Sequence, residues 1–266
     1  MEDELVVTRL GWAGIELEAG GRRLVIDLFE ERHAFAPFIE EIKGHLPPPG
    51  GPVDVALLTH LHADHADPAA LGRAMPSGGE ILRPRPAPGD DFDRYSTSAA
   101  EAGLAELPAN KIEVEPWETH EAGPFVITAV PAVDGFGDPQ VSWVVEAAGR
   151  RIFHGGDTTF HGGWWPIASR FKPFDAVFLP VNGPVCNFPH RQPPSPYPVV
   201  LDPERAAVAA GMLGGKVAVP IHDEGIDVPG LYDPVSGAAG QFEREAGARG
   251  VNTTRLEPGE TLAWED

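Results

Sequence analysis

The sequence has 266 residues, enough to bury a core, and 40 acidic against 20 basic residues give a formal net charge of −20. Nucleic-acid binding depends on a basic surface, so this charge argues against a DNA or RNA partner. No apolar run approaches the roughly 18 residues of a membrane helix, and the start, MEDELVV, lacks the features of a secretory signal. The single cysteine, Cys186, excludes an internal disulfide, and together these features predict a cytoplasmic protein.

The predicted elements are strands and helices interspersed along the chain. Short β-type runs come first (ELVVTRL, GIELEA and RRLVIDLF), followed by a helix-compatible stretch over 34–46, the buried strand VDVALLTH and a helix over 68–75. Later strands are KIEVEP, FVITAVPA, VSWVVEA, RRIFHGG, FDAVFLPVN and KVAVPIH, and later helices are PERAAVAAGMLGG and VSGAAGQFEREAGARG. We find no repeat and no linker. This order predicts a single α/β domain over residues 1–266, built from two sheets.

A dense group of residues suited to metal binding follows the strand VDVALL, in the stretch THLHADHAD. His60 and His62 are two residues apart, and side chains at that spacing share a face of an extended segment, so both imidazoles can bind one cation. Asp64 and His65 lie where the chain must turn, and they could face a second cation close by. A solvated polar turn is the alternative, but four such residues at this spacing favour a metal site.

With H-x-H-x-D-H after a buried strand, the sequence resembles the metallo-β-lactamase superfamily over nearly its whole length. The resemblance implies a four-layer αββα sandwich of the α/β class that holds two divalent metal ions. It also implies that Asp27 supports the metal loop without touching metal, that Asp157 bridges the two ions and that His222 is the last ligand. For Asp27, a turn aspartate that caps a strand is the alternative. The blocks GGDT and VPIH are most similar to the lactonase-like branch that includes L-ascorbate-6-phosphate lactonase.

The sequence departs from the family pattern at residue 134, where a third histidine for the first metal is expected and Asp134 is found. His120 lies too far back along the chain to replace it. His154, three residues before Asp157, could point elsewhere in its strand, and His161, four residues after Asp157, could reach the rim of the pocket. Asp134 itself is therefore the best candidate. We predict a first site of His60, His62 and Asp134, and a second of Asp64, His65, Asp157 and His222. Zn²⁺ is the expected metal, although an added carboxylate improves the prospects of Mn²⁺ or Fe²⁺.

These residues predict a metal-dependent hydrolase acting on a small-molecule ester, lactone or phosphoester through a metal-bound hydroxide. Asp64 would hold the second metal and orient the nucleophile, and His161 is the predicted proton donor. Trp164 and the adjacent Trp165 are expected to line the substrate pocket, with ordinary packing as the alternative, and Asn182 is expected to face the site. Specificity is expected from loops at 29–50, 84–95 and 184–202.

Two further functions remain open from the sequence. One is a non-haem iron oxidoreductase of the same fold, which carboxylate-rich ligation permits. The second is a metal-impaired binding protein, suggested only by Asp134. His33 and the aromatic residues after it could form a lid or a surface helix, and Asp223 and Glu224 could support His222 or be solvated. We expect a small-molecule substrate and no membrane partner, and the resemblance makes a homo-oligomer an option.

Overall fold

A computed structural model describes residues 4–30, 46–223 and 225–264. The segment at His33, for which a lid and a surface helix are both open from the sequence, and the carboxylate of Glu224 lie outside the described residues. Two β-sheets pack face to face, and helices cover the outer face of each, so the chain has the predicted αββα architecture. Each sheet must bury both faces, which explains why many strands are apolar without alternation.

The first sheet has six strands that follow one another in chain order. Its first three strands are antiparallel and the remaining ones are parallel. Leu24 and Ile26 of the third strand pack between the sheets, whereas Val25 packs on the outer side. The strands are β1 (Val6–Gly11), β2 (Gly14–Ala19), β3 (Arg22–Ile26), β4 (Val55–Leu57), β5 (Glu80–Pro84) and β6 (Asn110–Val114).

The second sheet has seven strands, β7 (Thr119–Ala122), β8 (Phe125–Pro131), β9 (Val141–Ala147), β10 (Arg150–His154), β11 (Phe174–Pro180), β13 (Gly215–Ile221) and β15 (Asn252–Thr253). Their order across the sheet is β15-β13-β11-β10-β9-β8-β7. Strands β10, β11, β13 and β15 are parallel, and β7 to β10 alternate in direction. Strands β8, β10, β11 and β13 therefore point the same way. A separate short pair is formed by β12 (Val185–Cys186) and β14 (Tyr232–Asp233), and the Cys186 thiol is buried.

Helices α1 (Pro68–Ala74) and α2 (Ser98–Glu106) cover the first sheet. Helices α3 (Trp164–Phe171), α4 (Pro203–Leu213) and α5 (Ala238–Ala248) cover the second. Helix α4 has clear boundaries, because the Asp202 side chain accepts a hydrogen bond from the backbone N–H of Arg205 and Gly214 ends the helix in a left-handed conformation. Among the helices of the described ranges, none has the length and apolar character needed to cross a bilayer.

The carboxyl ends of the strands position the predicted metal ligands. Asp27 follows β3, and the stretch 59–65 follows β4 in the first sheet. In the second sheet, Asp134 follows β8, Asp157 follows β10 and His222 follows β13. Strands that point the same way bring the residues after them to one edge of a sheet. The two sheets therefore deliver side chains to a common site from opposite sides of the sandwich.

Candidate metal centre

The structure brings the seven predicted ligands together in two groups, within each of which the possible ligand atoms lie within 4.8 Å of one another. The groups are neighbours, since the ring centroids of His60 in one and His65 in the other are 4.2 Å apart. The first group consists of His60, His62 and Asp134, and the second of Asp64, His65, Asp157 and His222. These are the two sets that the sequence predicts.

The second group is compact. His65 Nε2 lies 3.2 Å from Asp157 Oδ1 and 3.5 Å from Asp64 Oδ2. His222 Nε2 lies 3.1 Å from Asp157 Oδ2 and 3.8 Å from Asp64 Oδ2. Ligand atoms about 2.0–2.2 Å from a tetrahedral ion lie about 3.3–3.6 Å apart, so these separations suit a single ion. Both Asp157 oxygens face imidazoles of this group, and the predicted bridge to the first ion stays a prediction.

Hydrogen bonds to the far side of each ring determine which nitrogen of the second-group histidines faces inward. The Nδ1 atom of His65 lies 2.8 Å from Asp27 Oδ2, and the Nδ1 atom of His222 lies 2.8 Å from Asn182 Oδ1. Because an ionised carboxylate and an amide oxygen can only accept, each Nδ1 carries a hydrogen, and each Nε2 is the nitrogen left to bind a metal. Both Nε2 atoms are buried, and within the described part of the chain neither has a hydrogen-bond partner.

The same hydrogen-bond network orients His60 of the first group. The Thr59 hydroxyl donates to Asp27 Oδ2 at 2.7 Å, so its lone pairs are free to accept from His60 Nδ1 at 3.0 Å. The backbone N–H of Thr59 donates to the other oxygen of Asp27 at 2.8 Å. Asp27, with no exposed surface, therefore holds both the metal loop and two of its histidines, which is where the resemblance puts it.

The Asp134 carboxylate divides its two oxygens between the backbone and the site. Oδ1 accepts from the backbone N–H of Phe136 at 2.6 Å, and Oδ2 lies 4.0 Å from His62 Nδ1. One orientation of the Gln140 side-chain amide satisfies both its oxygen and its nitrogen. In it the oxygen accepts from the backbone N–H groups of Asp157 and Thr158 at 3.2 and 2.9 Å, and the nitrogen donates to Asp134 Oδ2 at 3.3 Å. One oxygen of Asp134 is thus available to a metal.

The charges of the site are tightly coupled. Burial raises the pKa of the Asp134 carboxyl to about 6; the nearby His62 lowers this pKa, and the charges of Asp138 and Asp157 add to the effect of burial. Burial would also raise the pKa of Asp157, but His222 and His65 hold it well below its usual range. Burial would lower the pKa of His65, but the carboxylates around it raise that pKa well above the ordinary value. Without metal the buried acids therefore need protons on the histidines, and divalent ions can take that role.

The donor set fits divalent cations. Four imidazoles and three carboxylates converge in a region that is almost wholly buried, and the inward nitrogens of His60, His65 and His222 have no hydrogen-bond partner among the described residues. A buried imidazole nitrogen without a partner is costly unless it binds something. Nitrogen and oxygen ligands suit Zn²⁺ and, through the carboxylates, Mn²⁺ or Fe²⁺ as well.

Trp12 and Asp138 are among the residues that contact the ligands and are not predicted from the sequence. The indole nitrogen of Trp12 donates to Asp64 Oδ2 at 2.9 Å, and the Trp12 ring packs 3.9 Å from that of His222. Asp138 Oδ2 lies 2.8 Å from His62 Nε2. Trp12 occupies the turn between two strands, where nothing in the sequence pattern distinguishes it from a packing residue. Asp138 lies only four residues after Asp134, and that proximity is the one signal that could have indicated it.

Two predicted substrate contacts are corrected by the structure. Trp164 has no exposed surface, and it packs in the core between the second sheet and its helices, 5.8 Å from the Phe153 ring. The adjacent Trp165 is 64% exposed on the outer side of α3. Asn182 is also buried, and its amide links His222 to the Tyr232 hydroxyl, to which it donates at 3.0 Å. Asn182 therefore supports a predicted ligand rather than lining a pocket.

The remaining histidines have different partners. The Nε2 atom of His154 donates to the Ala13 carbonyl at 2.8 Å, and His120 Nε2 lies 3.0 Å from Glu80 Oε2, so neither replaces Asp134. His161 Nδ1 accepts from the backbone N–H of Gly163 at 3.0 Å. Burial lowers the pKa of His161 to about 4, so the ring is neutral at pH 7 and is a weak proton donor there.

Asp223 does not contact His222 through its side chain. Its Oδ1 accepts from Arg9 at 2.6 Å, and Arg255 lies 3.3 Å from its Oδ2. The Arg9 guanidinium also donates to the Leu256 carbonyl at 2.7 Å. This buried ion pair fixes the segment after β13 to β1 and so supports the backbone at His222.

Aromatic rings extend from the first group towards the surface. The ring centroids of His62 and Phe136 are 6.0 Å apart, those of Phe136 and Phe188 are 5.4 Å apart, and those of Phe188 and His190 are 5.7 Å apart. Tyr95, which is 50% exposed, packs 4.5 Å from His190. We call Phe136, Phe188, His190 and Tyr95 the aromatic wall. It joins the loop regions 84–95 and 184–202, from which specificity is expected.

Comparisons with known proteins agree with this fold. A model of the beta-lactamase superfamily domain matches residues 22–222. A UPF0173 metal-dependent hydrolase of Korarchaeum cryptofilum (strain OPF8) is 27% identical over 258 residues, covering 96% of this chain and 97% of the relative. The structure of Igni18, a metallo hydrolase from Ignicoccus hospitalis KIN4/I, is similar with a TM-score of 0.67 at 19% identity, over 98% of this chain and 99% of that one. CmlA, a diiron beta-hydroxylase from Streptomyces venezuelae, is similar with a TM-score of 0.70 at 16% identity, over 98% of this chain and 54% of that one.

Proposed function

This chain belongs to the beta-lactamase superfamily, and from that membership we propose that it is a hydrolase that uses two divalent metal ions to cleave a small-molecule ester or lactone. The observation that carries the proposal is the convergence of all seven predicted ligands, with three inward imidazole nitrogens lacking partners among the described residues. The name metal-dependent hydrolase of the Korarchaeum cryptofilum relative supports the same reaction class.

The protein's own residues have distinct roles in this proposal. His60, His62 and Asp134 hold the first ion, and Asp64, His65, Asp157 and His222 hold the second. When bound, the two ions supply an acidified water as nucleophile and polarise the electrophilic oxygen of the substrate. Asp64 keeps its orientation because Trp12 donates to it, and Asp27 and Asn182 hold a ring hydrogen of His65 and of His222 on Nδ1, which leaves each Nε2 to a metal. His161 stays a proposed proton donor, and its pKa would have to rise from about 4 when substrate binds for the ring to carry the proton.

The charge of the site favours esters and lactones over phosphoesters. Asp64, Asp134 and Asp157 offset most of the positive charge of two divalent ions, so little remains to attract a phosphate. The net charge of −20 adds repulsion against anionic substrates. The aromatic wall supports a substrate with an apolar body, which would pack against Phe136 and Tyr95 while its ester group reaches the ligands.

Oxidation at an iron centre is the second function that an observation favours. Asp134 adds an oxygen ligand where the family pattern has an imidazole, and oxygen ligands improve the competitiveness of Fe²⁺. Such a reaction would also need an electron donor and dioxygen. Metal identity and the need for a reductant separate the two functions. A hydrolase keeps its activity without a reductant, whereas the oxidation at iron requires one.

Elemental analysis of protein purified without air, followed by assays with 4-nitrophenyl acetate, γ-butyrolactone and bis(4-nitrophenyl) phosphate, tests the proposal. We expect two metal equivalents per chain and hydrolysis of the ester or the lactone. In His222→Ala one equivalent and nearly all hydrolysis should be lost, because a vacant position leaves the second ion under-coordinated.

The matched control is His120→Ala, which removes an imidazole that pairs with Glu80 outside the site. It should retain both metals and full activity. Two irons with activity only in the presence of a reductant would favour the oxidoreductase, and a protein without metal would favour a binding role. Normal metal stoichiometry in His222→Ala would contradict the assignment of the second group.

A further inference from the structure

His62 differs from the other three histidines of the site in the nitrogen that it presents. Its Nε2 atom lies 2.8 Å from Asp138 Oδ2, and its Nδ1 atom faces Asp134 Oδ2 at 4.0 Å. An ionised carboxylate can only accept, so Nε2 carries a hydrogen and Nδ1 is the nitrogen left to bind a metal. The partner that determines this choice is Asp138, which lies in the loop between β8 and β9.

Asp138 is itself held by a cation. Arg191 Nη2 donates to the same Oδ2 atom at 2.9 Å, and the side chain of Asp138 is only 3% exposed. Burial would raise the pKa of the Asp138 carboxyl, but the hydrogen bond from His62 and the charge of Arg191 keep that pKa below its usual range. A buried carboxylate with two charge-assisted donors has a fixed position, and it fixes the imidazole that donates to it.

Arg191 connects this network to the outer loops. It belongs to the loop after β12, where its backbone N–H donates to the Phe188 carbonyl at 3.0 Å. Its Nη2 atom also lies 3.4 Å from the hydroxyl of Ser96, in the segment before α2. Arg191, which belongs to the loop 184–202, therefore contacts through its guanidinium both the carboxylate behind His62 and the segment that follows the loop 84–95.

We propose that Asp138 is a positioning residue that directs His62 Nδ1 towards the first metal ion, and that Arg191 holds Asp138 in place and so couples the affinity of the first ion to the loop 184–202. The inference rests on the proposed two-metal function. The first group has fewer ligands than the second, so a misplaced His62 leaves only His60 and Asp134 for that ion. The hydrogen bonds that Asp138 accepts within the described residues come from His62 and Arg191 rather than from the second group, whose affinity should not change.

The test is calorimetric titration of metal-free protein with Zn²⁺, with the two binding events assigned by Asp134→Ala and His222→Ala, each of which leaves the other group intact. Asp138→Ala should weaken the first event about 10–100-fold, as removal of a carboxylate behind a ligating histidine typically does, and leave the second unchanged. Asp138→Asn should recover part of the loss because its amide oxygen can still accept from His62. Arg191→Ala should give a smaller loss at the same site.

Nitrogen-15 NMR of the histidine side chains in the zinc-loaded protein gives a readout that a merely structural role would not change. In the wild type, His62 should show a slowly exchanging hydrogen on Nε2 and a metal-bound Nδ1, and Asp138→Ala should lose the protected hydrogen. Asp91→Ala, which removes the same charge at an exposed position, and Arg85→Ala, which breaks an exposed pair with Glu115, are the controls.

The outcomes separate this inference from the proposed function. Two metals in the wild type with an unchanged first event in Asp138→Ala would overturn the positioning role alone. Equal loss of both events would also overturn it, because Asp138 would then act through the fold rather than through His62. A wild-type protein that binds one metal or none would overturn the two-metal function and this inference together.

Discussion

Asp27 shows how much a single residue can determine at the scale of side chains. Its two oxygens accept from the backbone and hydroxyl of Thr59 and from His65 Nδ1, so one carboxylate orients ligands of both groups. Its backbone has φ of 51°, a conformation that asparagine tolerates and most residues do not. Asparagine is therefore the variant that tests the carboxylate without straining the chain.

We predict that Asp27→Asn keeps the bond from the Thr59 N–H but leaves His65 Nδ1 without an anionic acceptor. Zinc affinity should fall by about 10–100-fold, because the ring loses its orientation and basicity. Titration calorimetry of the metal-free protein measures the effect, and circular dichroism verifies that the fold is retained. Unchanged metal content and turnover in Asp27→Asn and Asp27→Ala would show that Asp27 has no supporting role.

Asp134 carries the second prediction at this scale. Asp134→Ala should empty the first group and spare the second, because the latter contains four other residues. Asp134→His should still bind two metals and shift the preference towards Zn²⁺, since imidazole is a softer ligand than carboxylate. Metal analysis and an anomalous-scattering map of each variant provide the measurement. A full first site in the alanine variant would mean that another residue is the ligand.

Single residues also mark the limit of sequence-based prediction. The ligand groups are predictable because the residue types and their order carry the signal. Trp12, Asp138 and the true role of Asn182 are not, because each depends on a contact between segments far apart in sequence, as in the bond between His62 and Asp138 across 76 positions. The prediction for Trp164 is wrong because a tryptophan near a site suits a pocket and a core equally well.

At the scale of elements, the loops after β4 and β10 approach each other at Gly156. A Cβ atom added to Gly156 would lie 2.6 Å from the Thr59 Cβ, and the residue has φ of +59°. Strand β10 belongs to the second sheet and Thr59 follows β4 of the first. The absence of a side chain at residue 156 therefore allows the two sheets to bring their ligands together.

We predict that Gly156→Ala separates these loops and lowers both zinc affinity and stability. Gly149→Ala is the matched control: its φ is +73°, but no heavy atom of the described residues beyond its immediate neighbours lies within 4 Å of an added Cβ. The control should cost only the conformational penalty, about 1–2 kcal/mol, and leave the metals bound. Urea denaturation and metal analysis distinguish the two, and equal losses in both variants would rule out the close approach as the cause.

The elements themselves differ in how well the sequence predicts them, for identifiable reasons. Helix α4 has a proline in its first turn, an aspartate cap and a terminal glycine, and its predicted range is close to the observed one. Helices α2 and α3 are not predicted. Neither Thr97 nor Gly163, which precede them, makes a side-chain capping bond, so the usual starting signal is missing. Helix α3 forms because Trp164 and Ile167 share the face that packs on the second sheet.

At the scale of the whole molecule, the site joins the two sheets. The loop after β4 belongs to the first sheet, whereas Asp134, Asp157 and His222 follow strands of the second. Ions that bind all of them would connect the halves of the sandwich, and they would stabilise only the folded state. A ligand present at about 100 times its dissociation constant contributes about 2.7 kcal/mol to the free energy of unfolding.

We therefore predict that removal of metal by a chelator lowers the melting temperature and that added Zn²⁺ restores it. Differential scanning calorimetry provides the measurement. Because the chain has a net charge of −20, the ionic strength must be held constant, so that screening of charge repulsion does not imitate the effect. His222→Ala should show a smaller shift than the wild type, and identical curves with and without chelator would indicate that the ions do not connect the sheets.

The single cysteine offers a way to observe motion at this site. Cys186 lies on β12, which pairs with β14, and burial together with the charges of Asp157 and Asp233 raises the pKa of its thiol to about 12. Alkylating reagents attack the thiolate, so the closed protein should resist labelling, and modification should proceed only when this pair of strands detaches. Because no other thiol competes in the chain, the rate of labelling reports how often the loop that carries Arg191 opens. This rate can be measured with substrate present or absent.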